Sequence, residues 1–236
     1  MHRFVAVLWD PAAPATASRA KSWVSALSRE GGAWGTLLQR DGLHVFAPKG
    51  SHAFTTLGDR ANPSGVIVGR LFERGYEKQG RLDALTQDAK KRIERTQGGA
   101  LIESYWGQYV ALWRDAERDQ TVVVRDPSGA VPAFRYNENG AELIFAHAGD
   151  VVGLGIQRVS INWPRVHAFL QHNYFTTETT GICEFAELAA GKRLLRGPDG
   201  QCVEQWVWNP TPIAAEPDLR DLDTIEAELR ETVAAC

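Results

Sequence analysis

Apolar and polar residues follow one another in short alternating runs over most of this chain, which predicts strands more often than helices. The clearest region lies at residues 103–149, where four short strands and three turns form a predicted local meander. The four strands are placed at residues 108–113, 121–124, 134–136 and 142–146. The sequence Asn-Glu-Asn-Gly at residues 137–140 gives the last two strands a hairpin-type connection.

Weaker patterns predict further elements before this meander. Strands are expected at the start of the chain and at residues 43–47, 52–57 and 66–68. A short helix is expected at residues 21–27, after a loop rich in Ala and Pro at residues 11–18. The hydrophobic period becomes helical at residues 81–97, and Gly98-Gly99 ends that helix as a C-cap should.

Two more helices are predicted in the last third of the chain, with a short strand around Leu194 between them. Asn162 can cap the first helix, whose first turn tolerates a Pro, and Val166, Phe169 and Leu170 form its expected buried side. The second helix carries an apolar stripe that runs to the last residue and consists of Leu222, Ile225, Leu229 and Val233. A helix without a C-cap at the last residue predicts the front part of a longer protein.

Composition and charge narrow the class of protein. The 236 residues are 44% hydrophobic and 23% charged, as is ordinary for a globular protein with a sizeable core. A net charge of −3 without a Lys or Arg cluster predicts no nucleic-acid and no membrane partner. Three cysteines without a Cys-x-x-Cys motif, and a first apolar run too short for a signal peptide, predict a cytoplasmic protein. His167 and His172 do not share a helix face, so no metal site is predicted.

The turn in the middle of the predicted meander has the most specific sequence motif, Arg-Asp-Pro-Ser-Gly at residues 125–129. Pro fixes φ and Gly permits a positive φ, as a turn after a strand requires. A structural role is expected for Arg125, Asp126 and Gly129, with the Asp126 carboxylate accepting backbone hydrogen bonds of the turn. The order of strand, Arg-Asp, small-residue turn, Pro and aromatic strand resembles the amino-terminal glutamine amidotransferase domain of asparagine synthetase-type enzymes.

This resemblance covers most of the chain, and three further segments carry it. Residues 66–72 stand where the family has a strand ending in Asn-Gly, residues 161–170 resemble its helix after the meander, and residues 187–194 resemble its Pro-Gly element with Ala190 in place of the Pro. The motifs at residues 105–109 and 125–130 resemble most closely those of the lasso peptide macrolactam synthetases, or lasso cyclases. The resemblance implies an α+β fold, the four-layer αββα sandwich of two antiparallel sheets of N-terminal-nucleophile (Ntn) hydrolases.

The resemblance also implies a domain organisation, cofactors and partners. Residues 1–208 correspond to the glutamine amidotransferase-like domain, and residues 209–236 to a linker and first helix leading towards an ATP-dependent synthetase domain that this chain does not contain. No cofactor is implied in this chain, whereas ATP and Mg²⁺ are implied for the C-terminal domain. The implied partners are that C-terminal synthetase domain, a precursor peptide and, in a homodimer, a second copy.

The catalytic positions of the family are changed in this chain. The family uses an amino-terminal Cys, exposed when the initiator Met is removed, whose thiolate attacks the glutamine amide while its own α-amine acts as the base. Position 2 is His2, which is bulky enough to keep Met1 in place, and Val68 precedes Gly69 where the family has the oxyanion Asn. A Val side chain donates no hydrogen bond to an oxyanion. His2, Val68, Gly69 and Arg70 are therefore predicted to line a residual pocket without a catalytic nucleophile.

Three functional hypotheses remain open at this point. The first is an inactive glutaminase-like domain of an ATP-dependent amide-forming enzyme that makes lasso peptide macrolactams. The second is a non-catalytic binding or interaction module with the same fold. The third is a glutamine-hydrolysing asparagine synthetase domain whose start site is misassigned. A Ser-Gly-Gly-Leu-Asp-Ser type loop after residue 236 would favour the first hypothesis, and a Cys exposed by another start site would favour the third.

Overall fold

The computed structural model describes residues 2–59, 62–74, 82, 84–156, 159–172, 178–215 and 220–235. The expected helix start at Arg81 and helix end at Cys236 lie outside these residues. In chain order the elements are β1 (Val5–Leu8), α1 (Pro14–Leu27), β2 (Trp34–Arg40), β3 (Leu43–Pro48), β4 (Phe54–Gly58), β5 (Pro63–Glu73), α2 (Gln87–Arg95), α3 (Gly99–Ser104), β6 (Tyr105–Asp115), β7 (Gln120–Arg125), β8 (Phe134–Glu138), β9 (Ala141–Phe145), α4 (Trp163–His172), β10 (Ala186–Glu187), β11 (Lys192–Arg196), β12 (Cys202–Trp206), α5 (Pro210–Ala215) and α6 (Leu222–Ala235).

The described strands form two antiparallel sheets of six strands each. The first sheet has the order β10-β8-β9-β1-β3-β2, and the second has the order β12-β11-β7-β6-β5-β4. Their facing sides bury one core of mostly aliphatic residues. The first sheet contributes Phe4, Ala6, Leu8, Val45 and Ile144, and the second contributes Val66, Val68, Val110, Leu112 and Val123. Each fully buried side chain of Val or Leu size contributes about 1.5–3 kcal/mol of hydrophobic stabilisation.

Helices cover the outer faces of both sheets. Helix α1 buries Trp23 and Leu27 against the outer side of the first sheet, in the same cluster as Val7. Helices α2 and α3 bury Ile93 and Leu101 against the second sheet, in a cluster that includes Ile67, Tyr109 and Trp113. The layers are therefore helix, sheet, sheet and helix. The expected α+β fold, an αββα sandwich of two antiparallel sheets, is confirmed.

The predicted local meander is wrong in its topology, although its four strands exist. β6 pairs with β7 in the second sheet, whereas β8 pairs with β9 in the first sheet. The turn after Arg125 therefore carries the chain from one sheet across to the other. Alternation predicts a strand and its buried face, but both sheets bury a face against the same core, so the pattern contained no information about which sheet a strand joins.

Three helices differ from the expectation. Helix α2 covers only Gln87–Arg95 of the expected residues 81–97, because Thr86 caps its first turn. Residues 14–18 belong to helix α1 and not to a loop, because Pro14 occupies the first turn, where its missing N–H group costs nothing. The cap of α4 is as expected, since the Asn162 side chain accepts a hydrogen bond from the Arg165 N–H group. The expected buried side of α4 is wrong, however, because Phe169 and Leu170 are 50% and 75% exposed. An apolar stripe predicts a face that needs cover, but it does not show that the same chain supplies the cover.

Several elements were missed or misplaced by the sequence patterns. β5 continues five residues beyond its expected end at Val68, and strands β2 and β12 and helix α3 were not predicted. Helix α6 forms where it was expected, with Leu222, Leu229 and Val233 exposed. Within the described part of the chain, no helix has the length and apolarity needed to cross a membrane.

Candidate functional site

The residual pocket was predicted from His2 and the three consecutive residues Val68, Gly69 and Arg70. His2 is partly buried just before β1 and stands two residues before Phe4. Phe4 and Val68 belong to the same buried core between the sheets. The core therefore contains the side chain of Val68 and that of Phe4, whereas His2 precedes the core residues of β1.

Val68 has no polar group to offer and almost no access to solvent. Its side chain is 1% exposed and packs in the intersheet core. On the neighbouring strand β4 it stands opposite Phe54, and on β6 it stands opposite Val110. The position that resembles the oxyanion Asn of the family is therefore a packing position in this protein.

Gly69 adopts a backbone conformation that other residues rarely reach, with φ at +128°. A Cβ atom at this position would lie 2.0 Å from the carbonyl oxygen of Gln108, so the approach of β6 requires a glycine. The Gly69 N–H group donates to the carbonyl oxygen of Ala53 at 2.8 Å. The backbone donor at this position is consequently engaged in strand pairing.

Arg70 differs from its two neighbours because it is exposed. It stands opposite Gln108 on β6, and Phe72 stands opposite Trp106 two residues further along. The Phe72 and Trp106 rings are stacked, with centroids 4.5 Å apart and an angle of 19° between their planes. The sequence did not predict that Gln108, Phe72 and Trp106 lie near Arg70. The motif Tyr-Trp-Gly-Gln-Tyr at residues 105–109 was the sequence feature that could have indicated it.

Arg125 is the centre of a buried network that joins distant segments. Its Nε donates to the Val131 carbonyl oxygen at 3.0 Å, and its Nη2 donates to the Gly129 carbonyl oxygen at 2.6 Å. Its Nη1 donates to the Leu188 carbonyl oxygen at 2.6 Å and forms an ion pair with Glu187 at 2.7 Å. Three nitrogen atoms of one guanidinium therefore hold the turn and the segment before β11 together.

Asp126 is fully buried and accepts the hydrogen bonds that its turn requires. One carboxylate oxygen accepts from the Tyr109 N–H group at 3.1 Å, and the other accepts from the N–H group of Ser128 at 2.7 Å and from its hydroxyl group. Burial raises the pKa of the Asp126 carboxyl, while these hydrogen bonds and the Arg125 charge oppose the shift. The arrangement fixes backbone positions and presents no free carboxylate to a substrate.

Gly129 completes this turn with a left-handed backbone, φ +62°. A Cβ atom here would lie 2.9 Å from the Ala190 Cβ atom and 3.3 Å from Nη2 of Arg125. The glycine thus leaves space for the guanidinium and for the returning segment near Ala190. Arg125, Asp126 and Gly129 lie together in the structure, in contact with the segment at residues 187–191.

A second buried charge cluster, missed by the sequence patterns, links the two sheets. Glu142 on β9 is buried and accepts from Arg135 Nε at 2.7 Å, while Arg135 also pairs with Glu204 of β12 at 2.5 Å. The Cys202 thiol donates to Glu142 at 3.5 Å. Burial raises the pKa of Cys202 to about 12, and the Glu142 carboxylate adds to this shift. A raised thiol pKa lowers the fraction of thiolate, which is the nucleophilic form of Cys.

A groove lies between α2 and the turn that joins β6 to β7. The groove has a volume of about 700 Å³ and is lined by both signs of charge, among them Asp88, Lys91, Arg95 and Glu117. Two of its arginines, Arg114 and Arg118, are paired with Asp119 and Asp115. In the described ranges no group of three or more His, Cys, Asp or Glu side chains is placed to hold a metal ion.

Comparisons with known proteins found similarity to solved structures and to no other class of known protein. No family model and no curated protein matches it. It is similar to the allosteric regulatory enzyme of purine biosynthesis, with 10% identity and a TM-score of 0.43 over 88% of this chain and 43% of that one. It is also similar to glutamine phosphoribosylpyrophosphate amidotransferase from B. subtilis in complex with ADP and GMP, with 10% identity and a TM-score of 0.46 over 87% of this chain and 49% of that one. The chain spans less than half the length of either protein.

Proposed function

We propose that this chain is a glutamine amidotransferase-like domain that no longer hydrolyses glutamine and that acts as the scaffold of an ATP-dependent, amide-forming enzyme of the asparagine synthetase type. Within that family, the proposal is a lasso peptide macrolactam synthetase. The sequence resemblance, the αββα sandwich and the arrangement of residues 68–70 support it.

One observation carries the proposal: the pair of residues expected to bind the oxyanion offers no free donor. Val68 is buried and apolar, and the Gly69 N–H group is bonded to the Ala53 carbonyl oxygen at 2.8 Å. Stabilising the tetrahedral intermediate of amide hydrolysis requires preorganised donors aimed at the developing negative charge. With His2 in the position of the nucleophile, neither the attacking group nor the oxyanion site of the family is present at these positions.

Amide formation can proceed without glutamine when the substrate supplies its own amine. In such an enzyme, a substrate carboxylate attacks ATP to give an acyl adenylate and pyrophosphate. The amine then attacks the acyl carbon, so that a C–N bond forms, the C–O bond to AMP breaks and a proton is released. In a macrolactam both groups belong to one peptide, and no ammonia is needed. ATP and Mg²⁺ would bind in a further domain, and no residue of this chain is assigned to either.

The first test measures glutamate released from L-glutamine by the purified chain, with His2→Ala as the matched variant. We expect no release above the uncatalysed rate from either protein. Glutamate release that the variant abolishes would show a working glutaminase and overturn the proposal. Mass spectrometry of the amino terminus adds an independent check, because a mature protein that begins with Cys would support a misassigned start site.

The second test concerns the rest of the proposed enzyme. We expect the gene to continue beyond residue 236 into a Ser-Gly-Gly-Leu-Asp-Ser type loop, which binds pyrophosphate in the family. The corresponding protein should exchange labelled pyrophosphate into ATP when it is given a precursor peptide, without glutamine or ammonia. A gene that stops at residue 236, or exchange that requires glutamine, would contradict this part of the proposal.

A second candidate function, a binding module without any ligase, is favoured by the exposed apolar helices. Trp163, Phe169 and Leu170 of α4 are 67%, 50% and 75% exposed, and several exposed apolar side chains on one short helix are typical of an interaction site. The gene sequence separates this candidate from the first, because a binding module requires no pyrophosphate loop.

A further inference from the structure

A small polar and aromatic surface, here called the shelf, is formed by Arg70, Phe72, Trp106 and Gln108. The four residues are two cross-strand pairs, Arg70 opposite Gln108 and Phe72 opposite Trp106. Successive residues of a strand point to opposite faces, so these residues share the face that carries Val68 and Val110. Val68 and Val110 are buried between the sheets, whereas Arg70, Trp106 and Gln108 are exposed. The shelf is therefore the part of this face that continues beyond the intersheet core.

Two glycines of the shelf strands stand where the neighbouring backbone leaves no space for a Cβ atom. Gly69 and Gly107 have φ values of +128° and +151°. A Cβ atom on Gly69 would lie 2.0 Å from the Gln108 carbonyl oxygen, and one on Gly107 would lie 2.1 Å from the Arg70 carbonyl oxygen. Both glycines flank the Arg70–Gln108 pair, so the backbone beneath the pair is fixed even though its side chains are exposed.

The polar side chains of the shelf have unused hydrogen-bonding capacity. Among the described residues, neither the Arg70 guanidinium nor the Gln108 amide has a hydrogen-bond or ion-pair partner. The acidic residue nearest in sequence, Glu73, alternates to the opposite face, where its charge adds to the effect of burial in raising the pKa of Tyr105. An exposed guanidinium without an ion-pair partner among the described residues is complementary to an anionic ligand.

We propose that the shelf binds an extended acidic peptide in which a carboxylate and an aromatic side chain are two residues apart. Arg70 and Phe72 are themselves two residues apart on one strand, about 7 Å at the rise of a β-strand. An extended peptide repeats this spacing, so its carboxylate can meet Arg70 while its aromatic ring lies on the Phe72–Trp106 stack. Gln108 can bond either to the peptide backbone or to the same carboxylate. This inference holds whether or not the chain belongs to an ATP-dependent ligase.

The test is an NMR titration of the ¹⁵N-labelled 236-residue chain with the capped peptide acetyl-Gly-Asp-Gly-Phe-Gly-amide. The indole N–H signal of Trp106, assigned with the variant Trp106→Phe, reports binding at the shelf, and the other indole signals report that the fold is intact. We expect the Trp106 signal to shift and saturate. The Asn analogue of the peptide should bind roughly threefold more weakly, in line with the contribution of one exposed ion pair.

The variant Arg70→Gln should bind the Asp peptide roughly threefold more weakly and should no longer distinguish it from the Asn peptide. The matched control is Arg29→Gln, since Arg29 is also exposed but lies in the turn after α1; it should behave like the wild type. A Trp106 signal that does not move at millimolar peptide, or an Arg70→Gln variant that still prefers the Asp peptide, would overturn the proposal. Glutaminase and pyrophosphate-exchange assays do not enter this test, so its failure is distinct from a failure of the proposed function.

Discussion

Two segments of the second sheet use charged residues in opposite ways. In the turn after β7, Arg125 donates from three nitrogen atoms and Asp126 accepts on both carboxylate oxygens, all in a buried setting. In β5, Arg70 is exposed and makes no such bonds among the described residues. The comparison shows that Arg125 and Asp126 hold buried backbone segments together, whereas the side chain of Arg70 faces solvent.

Tyr109 connects these two segments through its backbone. Its N–H group donates to the Asp126 carboxylate, and its carbonyl oxygen accepts from the Asp126 N–H group at 3.1 Å. On its other side Tyr109 stands opposite Gly69. The turn therefore holds strand β6 at the position opposite Gly69. Substitutions in the turn are expected to shift the β6 backbone and, through it, β5.

The largest loss of stability is expected from Arg125→Met. This variant tests whether the turn after β7 stabilises the fold more than the exposed part of β5 does. The change leaves Glu187 and three backbone carbonyl oxygens without their donor. We expect the free energy of unfolding to fall by about 3–5 kcal/mol, as when one partner of a buried ion pair is removed. Urea denaturation measures this. Arg92→Met is the control, because Arg92 pairs with Glu103 on the surface, and its loss should cost less than about 1 kcal/mol. Equal losses in the two variants would contradict the prediction.

The next effect is expected from Gly69→Ala, which asks whether β5 is also fixed at its backbone. The new Cβ atom would collide with the Gln108 carbonyl oxygen, and the positive φ would strain an alanine. We expect a loss of about 3 kcal/mol, combining strain with overpacking. The control is Gly35→Ala in β2, whose added Cβ atom would meet nothing closer than 3.7 Å. Thermal denaturation of both variants decides the matter, and a tolerated Gly69→Ala would show that the close approach is not required.

A smaller loss of stability is expected from Val68→Asn, which introduces the oxyanion Asn of the family that the sequence resembles. Burying the amide without partners should destabilise the fold by about 1–3 kcal/mol. The exposed Val203 of β12 provides the control, since Val203→Asn should change stability by less than about 0.5 kcal/mol. We also expect no glutaminase activity from Val68→Asn, alone or with His2→Cys, because the Gly69 N–H group remains bonded to Ala53. Glutamate release by the double variant would show that this bond can open.

The smallest effect is the pH dependence that Asp126 contributes. Its raised pKa means that the folded state holds this proton more tightly than the unfolded chain does. The resulting stabilisation is complete below the unfolded pKa of about 4 and is lost as the pH rises through the higher folded value. Asp126→Asn lacks this titration. The stability of the wild type relative to the variant should therefore fall as the pH rises above about 4 in a series of urea denaturation measurements.

Much of the sandwich could be predicted, because its strands and helices are encoded over short distances. The β-branched run at residues 121–124 lies within β7. Gly98, which was expected to end α2, is wrong as its C-cap: α2 ends at Arg95 with Thr96 as the C-cap, and the left-handed Gly98 is the N-cap of α3. The membership of the strands in the sheets could not be predicted, since β7 and β8 follow one another in the chain but lie in different sheets. That choice depends on contacts such as Arg125 with Glu187, which are 62 positions apart.

The sequence predicted which residues of the candidate site differ from the family that it resembles, but it did not predict which residues are exposed there. The proposed absence of the nucleophile and of the oxyanion Asn rests on two single positions, His2 and Val68. The shelf is not visible in this way, because alternation assigns Arg70 and Trp106 to a face without telling where the opposite sheet ends. Only the position of the first sheet decides which residues of that face are covered. For the same reason the apolar side of α4 was assigned to the core although it is exposed.

The network around Arg125 also has a consequence for synthesis on the ribosome. The guanidinium binds Leu188, and the Asp126 carbonyl oxygen accepts from the Gly191 N–H group at 3.2 Å, so neither contact can form before these residues have been translated. In addition, β7 obtains its second neighbour only when β11 arrives. When the nascent chain has left the ribosomal tunnel up to β9, it contains the β6–β7 and β8–β9 hairpins. It does not yet contain the residues whose hydrogen bonds stabilise the turn between them. Until then, one edge of β7 stays open to pairing with other chains.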